Sequence, residues 1–465
     1  MSDSGTRSRL SRRAMLAGTA AVAVSPAFGA TALPSWADVV VVGAGVAGIA
    51  AGRRLVAAGR RPLILEAADR IGGRCITDTR TFGVPFDRGA HWLHMPDINP
   101  VAKLAGAAKL EVYPAPPGQK LRIGRRFARE GEMEDFLSAL VRTNRAIGDA
   151  ARGKNDVSCA QALPKDLGEL RPAVEFVLGP FGCAKDLSDI SAGDFSRSAE
   201  RDVDAFCRQG LGTLVAKLGD GLPVQLATPV TVVNWPSRSN AEVETPRGSV
   251  RCSAVIVTAS TGVLAAGRIK FNPALSRRQT DAFAKLSLGS YDHIVLELAG
   301  NPLALQSDEL VFEKATNNRT AALLANVSGT PLCLIEVGGR FGASLAAQGE
   351  AAMVDFAVNW LTDLYGADIR KAVRRKLATN WAKEPWALGA FSAAGVNGQP
   401  SRRILMEPLA NHVYFAGEAV HETLWGTVGG AWESGERAAD VVLKRFAPPP
   451  ATRPGRPTRP VRQRS

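Results

Sequence analysis

An unbroken apolar run, "DVVVV" from Asp38, gives way at Gly43 to small residues, and "GAGVAG" leads into an Ala-rich segment ending at Gly59. The apolar run reads as a strand buried on both faces, the Ala-rich segment as a helix, and "RPLILEA" after it as a second strand. This order predicts the βαβ opening of a doubly wound parallel sheet. From Phe82 to about Asp204 the pattern turns to helices and loops, and in "MEDFLSALVRTNRAIG" the spacing puts Met133, Phe136, Leu137, Leu140 and Val141 on one core-facing helical stripe. Strand signals return between Pro223 and Ala259 and are expected to rejoin the first sheet. A second excursion, about Leu286 to Pro400, contains the strands "SYDHIVLEL" and "PLCLIEVGG" and a helix using Met353, Phe356, Trp360, Leu361 and Leu364. "HVYFAGEAV" and "TVGGAWESGERAADVVLKRF" then read as strand, loop and closing helix.

The chain therefore alternates between two layers: residues 36–81, 205–285 and 401–447 in one, residues 82–204 and 286–400 in the other. No internal repeat is evident. At 465 residues and 46% hydrophobic content, two or three domains' worth of core can be filled.

The formal charge of +13 invites a nucleic-acid reading until it is located. Residues 1–36 hold four Arg and one Asp, and the tail from Pro448 to Ser465 holds five Arg and no acid, so 13 − 3 − 5 leaves +5 for the body. That is too dilute for a phosphate-tracking surface, and no nucleic-acid partner is expected. The tail alternates Pro and Arg with little to bury and reads as a disordered extension. Arg12 and Arg13 before a mild apolar run, with Ala30 and Ala32 in an A-x-A arrangement, read as a twin-arginine signal over residues 1–32. A periplasmic or otherwise exported protein that engages the export machinery for folded proteins is the expectation. The six cysteines show no CxxC pair or short cluster and read as core thiols.

In "GAGVAG", Gly43, Gly45 and Gly48 follow a strand and open a helix, which allows a tight turn and close approach of backbone to pyrophosphate. Glu66, 18 residues past Gly48, ends the second strand where a carboxylate can take both ribose hydroxyls. "DRIGGR" adds Gly72, Gly73 and the forked Arg74, a second phosphate-side cation that points away from a simple nicotinamide enzyme. Gly417, Glu418, Thr427, Val428 and Gly429 would place backbone N–H groups and a helix dipole beside an anion or an electron-rich ring.

The set "VVVVGAGVAG", "LEAADRIGGR", "FDRGAHWLH", "TPV", "WAKEPWALGAFS", "FAGEA" and "GTVGGAWESGERAA", running in order from Asp38 to Phe446, resembles the flavin-containing amine oxidases of monoamine and polyamine oxidase type. The resemblance implies an α/β fold: a Rossmann-like FAD-binding domain interleaved with an α+β substrate-binding domain. It implies an FAD-dependent oxidoreductase in which hydride transfer from the amine α-carbon gives an imine, hydrolysed to aldehyde or ketone, with dioxygen or an electron carrier as acceptor. By resemblance Glu66 holds the adenosine ribose, Arg74 the pyrophosphate, Val230 the adenine, Glu418 the ribityl chain and Val428 the flavin ring, with Gly73, Gly89 and Ala90 giving backbone contacts. Family members that attach FAD covalently do so through a cysteine at the position of Ala390, so noncovalent FAD is expected.

Two departures stand out at the reacting end. The aromatic pair that flanks the amine in the family falls on Phe391 and on Thr427, so Trp92, Trp386 and Trp425 are candidates for a substitute wall. The family's lysine near the flavin falls on His293, a residue that titrates near neutrality and could order the same water while slowing reoxidation by oxygen. His91 is expected to face the substrate. His91 and His94 have a spacing that invites a metal reading, but no carboxylate or cysteine cluster supports one, so no metal is expected. "GAHWLH" contains no arginine for a substrate carboxylate, which favours an amine over an amino acid. Two alternatives share the flavin domain: a desaturase or protoporphyrinogen-oxidase-like enzyme, and an exported electron-transfer protein without turnover.

Overall fold

In a computed structural model, which describes residues 32–198, 203–236 and 240–446, the valine run forms strand β1 (Trp36–Val42), with Val39, Val40 and Val41 fully buried. Helix α1 (Val46–Ala57) and strand β2 (Pro62–Leu65) follow. The signal residues Arg12, Arg13 and Ala30 and the tail from Pro448 lie outside the described residues.

β1 pairs in parallel with β2 on one side and with β3 (Gly248–Val257) on the other, Val41 opposite Ile64 and Ile256. The returning segment thus rejoins the first sheet, with residues 43–247 lying between β1 and β3, a crossover far longer than the usual ~12-residue minimum. The chain then builds a second sheet around antiparallel β4 (Tyr291–Leu298) and β5 (Leu332–Gly338). It returns in β6 (Val413–Phe415), parallel to β3, and ends in α2 (Val428–Phe446). Among the described residues the first sheet has eight strands and the second seven.

Helices α1 and α2 lie backbone to backbone: a Cβ on Gly435 would stand 2.1 Å from the Ala47 carbonyl oxygen. Only glycine permits that approach. Ile49, Leu55, Trp432 and Val442 fill one core with β1.

One stripe expectation is corrected. The helix Glu130–Ala151 buries Phe136, Ala139, Leu140, Thr143 and Ile147, and leaves Leu137 41% and Val141 66% exposed. The inward face is rotated toward Ala139 and Thr143, small residues that apolar counting underweights. All six cysteines are buried and none forms a disulfide, and no described helix is long and apolar enough to cross a membrane.

Candidate active site

The turn after β1 is a cradle that side chains would fill. Gly43 has φ +100°, and a Cβ on Gly48 would lie 1.9 Å from the Gly43 carbonyl oxygen. The buried carboxylate of Glu66, just past β2, accepts from the N–H groups of Ala44 (2.6 Å) and Ala68 (2.8 Å). The Glu66 carbonyl accepts from Thr228 N–H, which brings the Thr228–Val230 stretch to the same strand end. Gly45 bridges to Gly72, so both glycine turns meet, Gly73 standing next to Gly45.

Arg74 donates to a Glu418 oxygen at 3.0 Å and to the Ala390 carbonyl. Glu418 also accepts from Ser392 Oγ (2.7 Å), Ser392 N–H (3.3 Å) and Gly426 N–H (3.0 Å). Burial raises its pKa, yet Arg74, Ser392 and Arg402 outweigh that and hold it below the usual carboxylate value. Charge-assisted bonds to an ionised carboxylate are the strong ones, so Glu418 ties three loops together. A cavity beside it is lined by Arg74, Thr258, Ser260, Gly417 and Glu418. Gly89 is pressed between the Arg74 carbonyl and the Trp381 ring, and Ala90 N–H donates to the Arg74 carbonyl. A Cβ-free turn at a helix start, with a buried acid at the end of the next strand and an arginine at the second glycine turn, fits a dinucleotide of FAD type.

At the other end of the site, Asp87 organises both histidines. Its carboxylate accepts from Leu211 N–H (2.9 Å), Gly212 N–H (3.1 Å) and Thr77 Oγ (2.6 Å), and faces His91 Nδ1 at 3.0 Å. Its carbonyl faces His293 Nδ1 at 3.1 Å. Sequence reasoning missed Asp87, although an acid four residues before His91 was visible. Also missed was Glu336 on β5, directly opposite His293 in register and 3.5 Å from its Nε2. A lone acid within "LCLIEVG" was the available signal.

His293 does not titrate near neutrality. Burial pushes its pKa down to about 4, with the Asp87 carbonyl only partly offsetting this, so the ring is neutral at physiological pH. Tyr291 stands 5.7 Å from Phe391 and 5.9 Å from His293, ring centre to ring centre, and supplies an aromatic that sequence reasoning passed over.

The expected substitute wall is corrected in two places. Trp92 does reach this cluster, at 4.8 Å from Phe206 and 6.5 Å from Phe181. Trp386 is 47% exposed with no described aromatic ring against it, and the buried tryptophan of that motif is Trp381. Trp425 is buried in a core cluster with the Arg402 guanidinium 4.9 Å from its ring, so it backs the site without walling it. Thr427 is occupied as a cap: its hydroxyl donates to the Leu424 carbonyl and accepts from Gly430 N–H, fixing the start of α2 at Val428.

His91 and His94 face different acids, Asp87 and Asp204. A buried lysine does stand near, Lys185, with burial lowering it to about 8, but it donates to the Ala393 carbonyl (2.6 Å) and Ser287 Oγ (2.9 Å).

A family model described as "Flavin containing amine oxidoreductase" matches residues 46–443. Lysine-specific histone demethylase 1B of Mus musculus is 26% identical over 440 residues, covering 87% of this chain and 52% of its own. Polyamine oxidase 4 of Oryza sativa subsp. japonica is 26% identical over 442 residues, with 88% and 89% covered. The chain therefore spans about half of the demethylase and most of the polyamine oxidase. Of solved structures, putrescine oxidase bound to putrescine matches with TM-score 0.74 at 20% identity, covering 88% of this chain and 99% of that one. Cyclohexylamine oxidase from Brevibacterium oxydans IH-35A matches at 0.75 and 19% identity, covering 89% and 100%. These likenesses show the fold.

Proposed function

The chain belongs to the flavin-containing amine oxidoreductase family, with FAD as cofactor, and from that premise we propose that it oxidises a small amine at the carbon next to nitrogen. When bound, FAD takes up the two electrons that the C–H bond releases, and water hydrolyses the resulting imine to a carbonyl compound and a smaller amine. The observation that carries the reading is the juxtaposition of the Glu66 and Arg74–Glu418 site with an aromatic cluster of Phe391, Tyr291 and Trp92 beside the buried His293. Aromatic faces exclude water and orient a substrate's C–H bond, while Asp87 holds His293 with Nδ1–H on a carbonyl and Nε2 facing inward. The polyamine and putrescine oxidases among the relatives support a mono-, di- or polyamine substrate.

The test is the visible spectrum of the purified protein mixed without oxygen with mono-, di- and polyamines and a cyclic amine. Bleaching of the flavin band by one amine class is expected; a bound flavin that none of them bleaches would overturn the reading and favour the carrier or desaturase alternatives. When air is admitted, the His293→Lys variant is expected to regain its colour at least ~10-fold faster than the wild type, because an ammonium replaces a neutral ring. Equal rates would show that His293 does not slow the reaction with oxygen, and would remove the support for an electron carrier as acceptor.

Export by the twin-arginine route is part of the proposal and rests on Arg12 and Arg13 before the apolar run. That route carries folded proteins, which suits a chain that must close around a dinucleotide first. Replacing both arginines by lysine is expected to retain the protein inside the cell; unchanged export in a fractionation assay would refute it.

A further inference from the structure

The loop between Glu418 and the start of α2 is folded around one side chain. His421 Nδ1 accepts from the N–H groups of Thr423 (3.2 Å) and Leu424 (2.9 Å), and its Nε2 lies 3.0 Å from a Glu433 oxygen on α2. A ring nitrogen that accepts carries no hydrogen, so the ring hydrogen sits on Nε2 and is donated to Glu433. His421 is therefore a neutral imidazole in this fold. Bonding the backbone two and three residues on is the ordinary work of an Asn, Asp or Ser oxygen. Histidine does that work here with an acceptor that a proton removes.

The loop so folded touches both ends of the site. Gly426 N–H donates to Glu418 (3.0 Å), and Gly426 lies against the Phe391 ring, where a Cβ would stand 3.0 Å from a ring carbon. The Leu424 carbonyl accepts from the Thr427 hydroxyl that caps α2, and a Cβ on Gly430 would stand 2.0 Å from the same oxygen. We propose that His421 is a positioning residue for the flavin: the neutral ring latches residues 421–427 against Glu418, Phe391 and α2, and protonation of Nδ1 releases them. A proton from solvent bonds to the Nδ1 lone pair, and the two backbone N–H groups then lose their acceptor and face a third donor.

The charged groups around the ring are Glu433 and Arg437 from α2 and Arg402 from the helix Ser401–Met406; Glu422, next in the chain, is paired with Arg403. Burial, with Arg437 and Arg402, outweighs the pull of Glu433 and lowers the His421 pKa below its ordinary 6.5. A group with a lowered pKa stabilises the folded loop fully above the ordinary value, and that contribution is lost as pH falls through the lowered one. The latch is therefore closed at neutral pH and opens on the acid side.

The test is hydrogen exchange of the FAD-loaded protein at pH 8 and pH 5, read by mass spectrometry on the peptide covering residues 421–427 and corrected for the intrinsic pH dependence of exchange. Protection of the wild-type loop is expected to fall about 5-fold or more at pH 5, since each unit of pKa difference is worth tenfold. His421→Asn keeps an oxygen acceptor that does not titrate, and its loop is expected to stay protected at both pH values. His421→Ala has no acceptor, and its loop is expected to be unprotected at both. Release of FAD on dilution, followed by flavin fluorescence, is expected to speed up about 5-fold or more between pH 8 and pH 5 in the wild type relative to His421→Asn. Equal wild-type protection at the two pH values, the same acid response in His421→Asn, or FAD release that does not follow the loop would overturn the proposal. If His421→Ala does not fold, the comparison with His421→Asn decides by itself. The readouts are backbone protection and bound FAD, so neither result bears on which amine reduces the flavin.

Discussion

Replacing Asp194 by alanine is expected to lower stability by about 3–5 kcal/mol, the usual cost of stranding one member of a buried ion pair. Arg402 and Asp194 are both fully buried. The guanidinium grips the carboxylate twice, Nε to Oδ1 and Nη2 to Oδ2, each at 2.7 Å. Its remaining nitrogen donates to the Ala419 carbonyl at 2.9 Å, and Asp194 Oδ2 accepts from Ala394 N–H. Without the acid the cation has no equal partner and cannot reach water. The damage would extend to the site, because Ala394 and Ala419 belong to the segments carrying Phe391 and Glu418. Urea denaturation followed by tryptophan fluorescence is the check, and a loss under ~1 kcal/mol would contradict the account. Replacing the pair together, Arg402→Met with Asp194→Leu, is expected to cost far less, since no charge is then left unpaired.

The second large effect is expected at Gly48. A Cβ there meets the carbonyl oxygen of Gly43 at 1.9 Å and its carbon at 3.0 Å, backbone on both counts, so no side-chain rotation relieves the clash. Relief requires opening the turn, where Gly43 already holds φ +100°. Gly48→Ala is therefore expected to lose about 3 kcal/mol or more of FAD affinity, roughly a hundredfold or more, and to purify without the flavin absorbance. Gly131→Ala is the control, because a Cβ there meets nothing within 4 Å. A yellow Gly48→Ala protein with wild-type FAD affinity would show that the turn tolerates displacement.

Much of the nucleotide side was legible because its determinants are local. A strand, a glycine turn, a helix and an acid follow one another within residues 36–66, and the backbone conformation each needs is written in the residue type. The reacting side was legible only where the chain resembles its family. His293 was found by position, but its neutrality follows from burial, which outweighs the opposing pull of the Asp87 carbonyl that lies 206 residues earlier in the chain. Trp386 and Trp425 were read as walls because aromatic character is visible in a sequence and direction is not. Thr427 was read as standing where the family places its second aromatic, and its hydroxyl is spent on the start of α2.

By itself, then, the sequence determined the βαβ opening, the cradle around Gly43 and Gly48, the place of Glu66 at the end of β2 and the family to which the whole arrangement belongs, since short-range sterics, period and motif order suffice for these. Only the tertiary structure decided which acids and bases meet. The antiparallel register of β4 and β5 sets His293 beside Glu336, and burial there removes the solvent that would otherwise keep an imidazole more basic than a carboxylate.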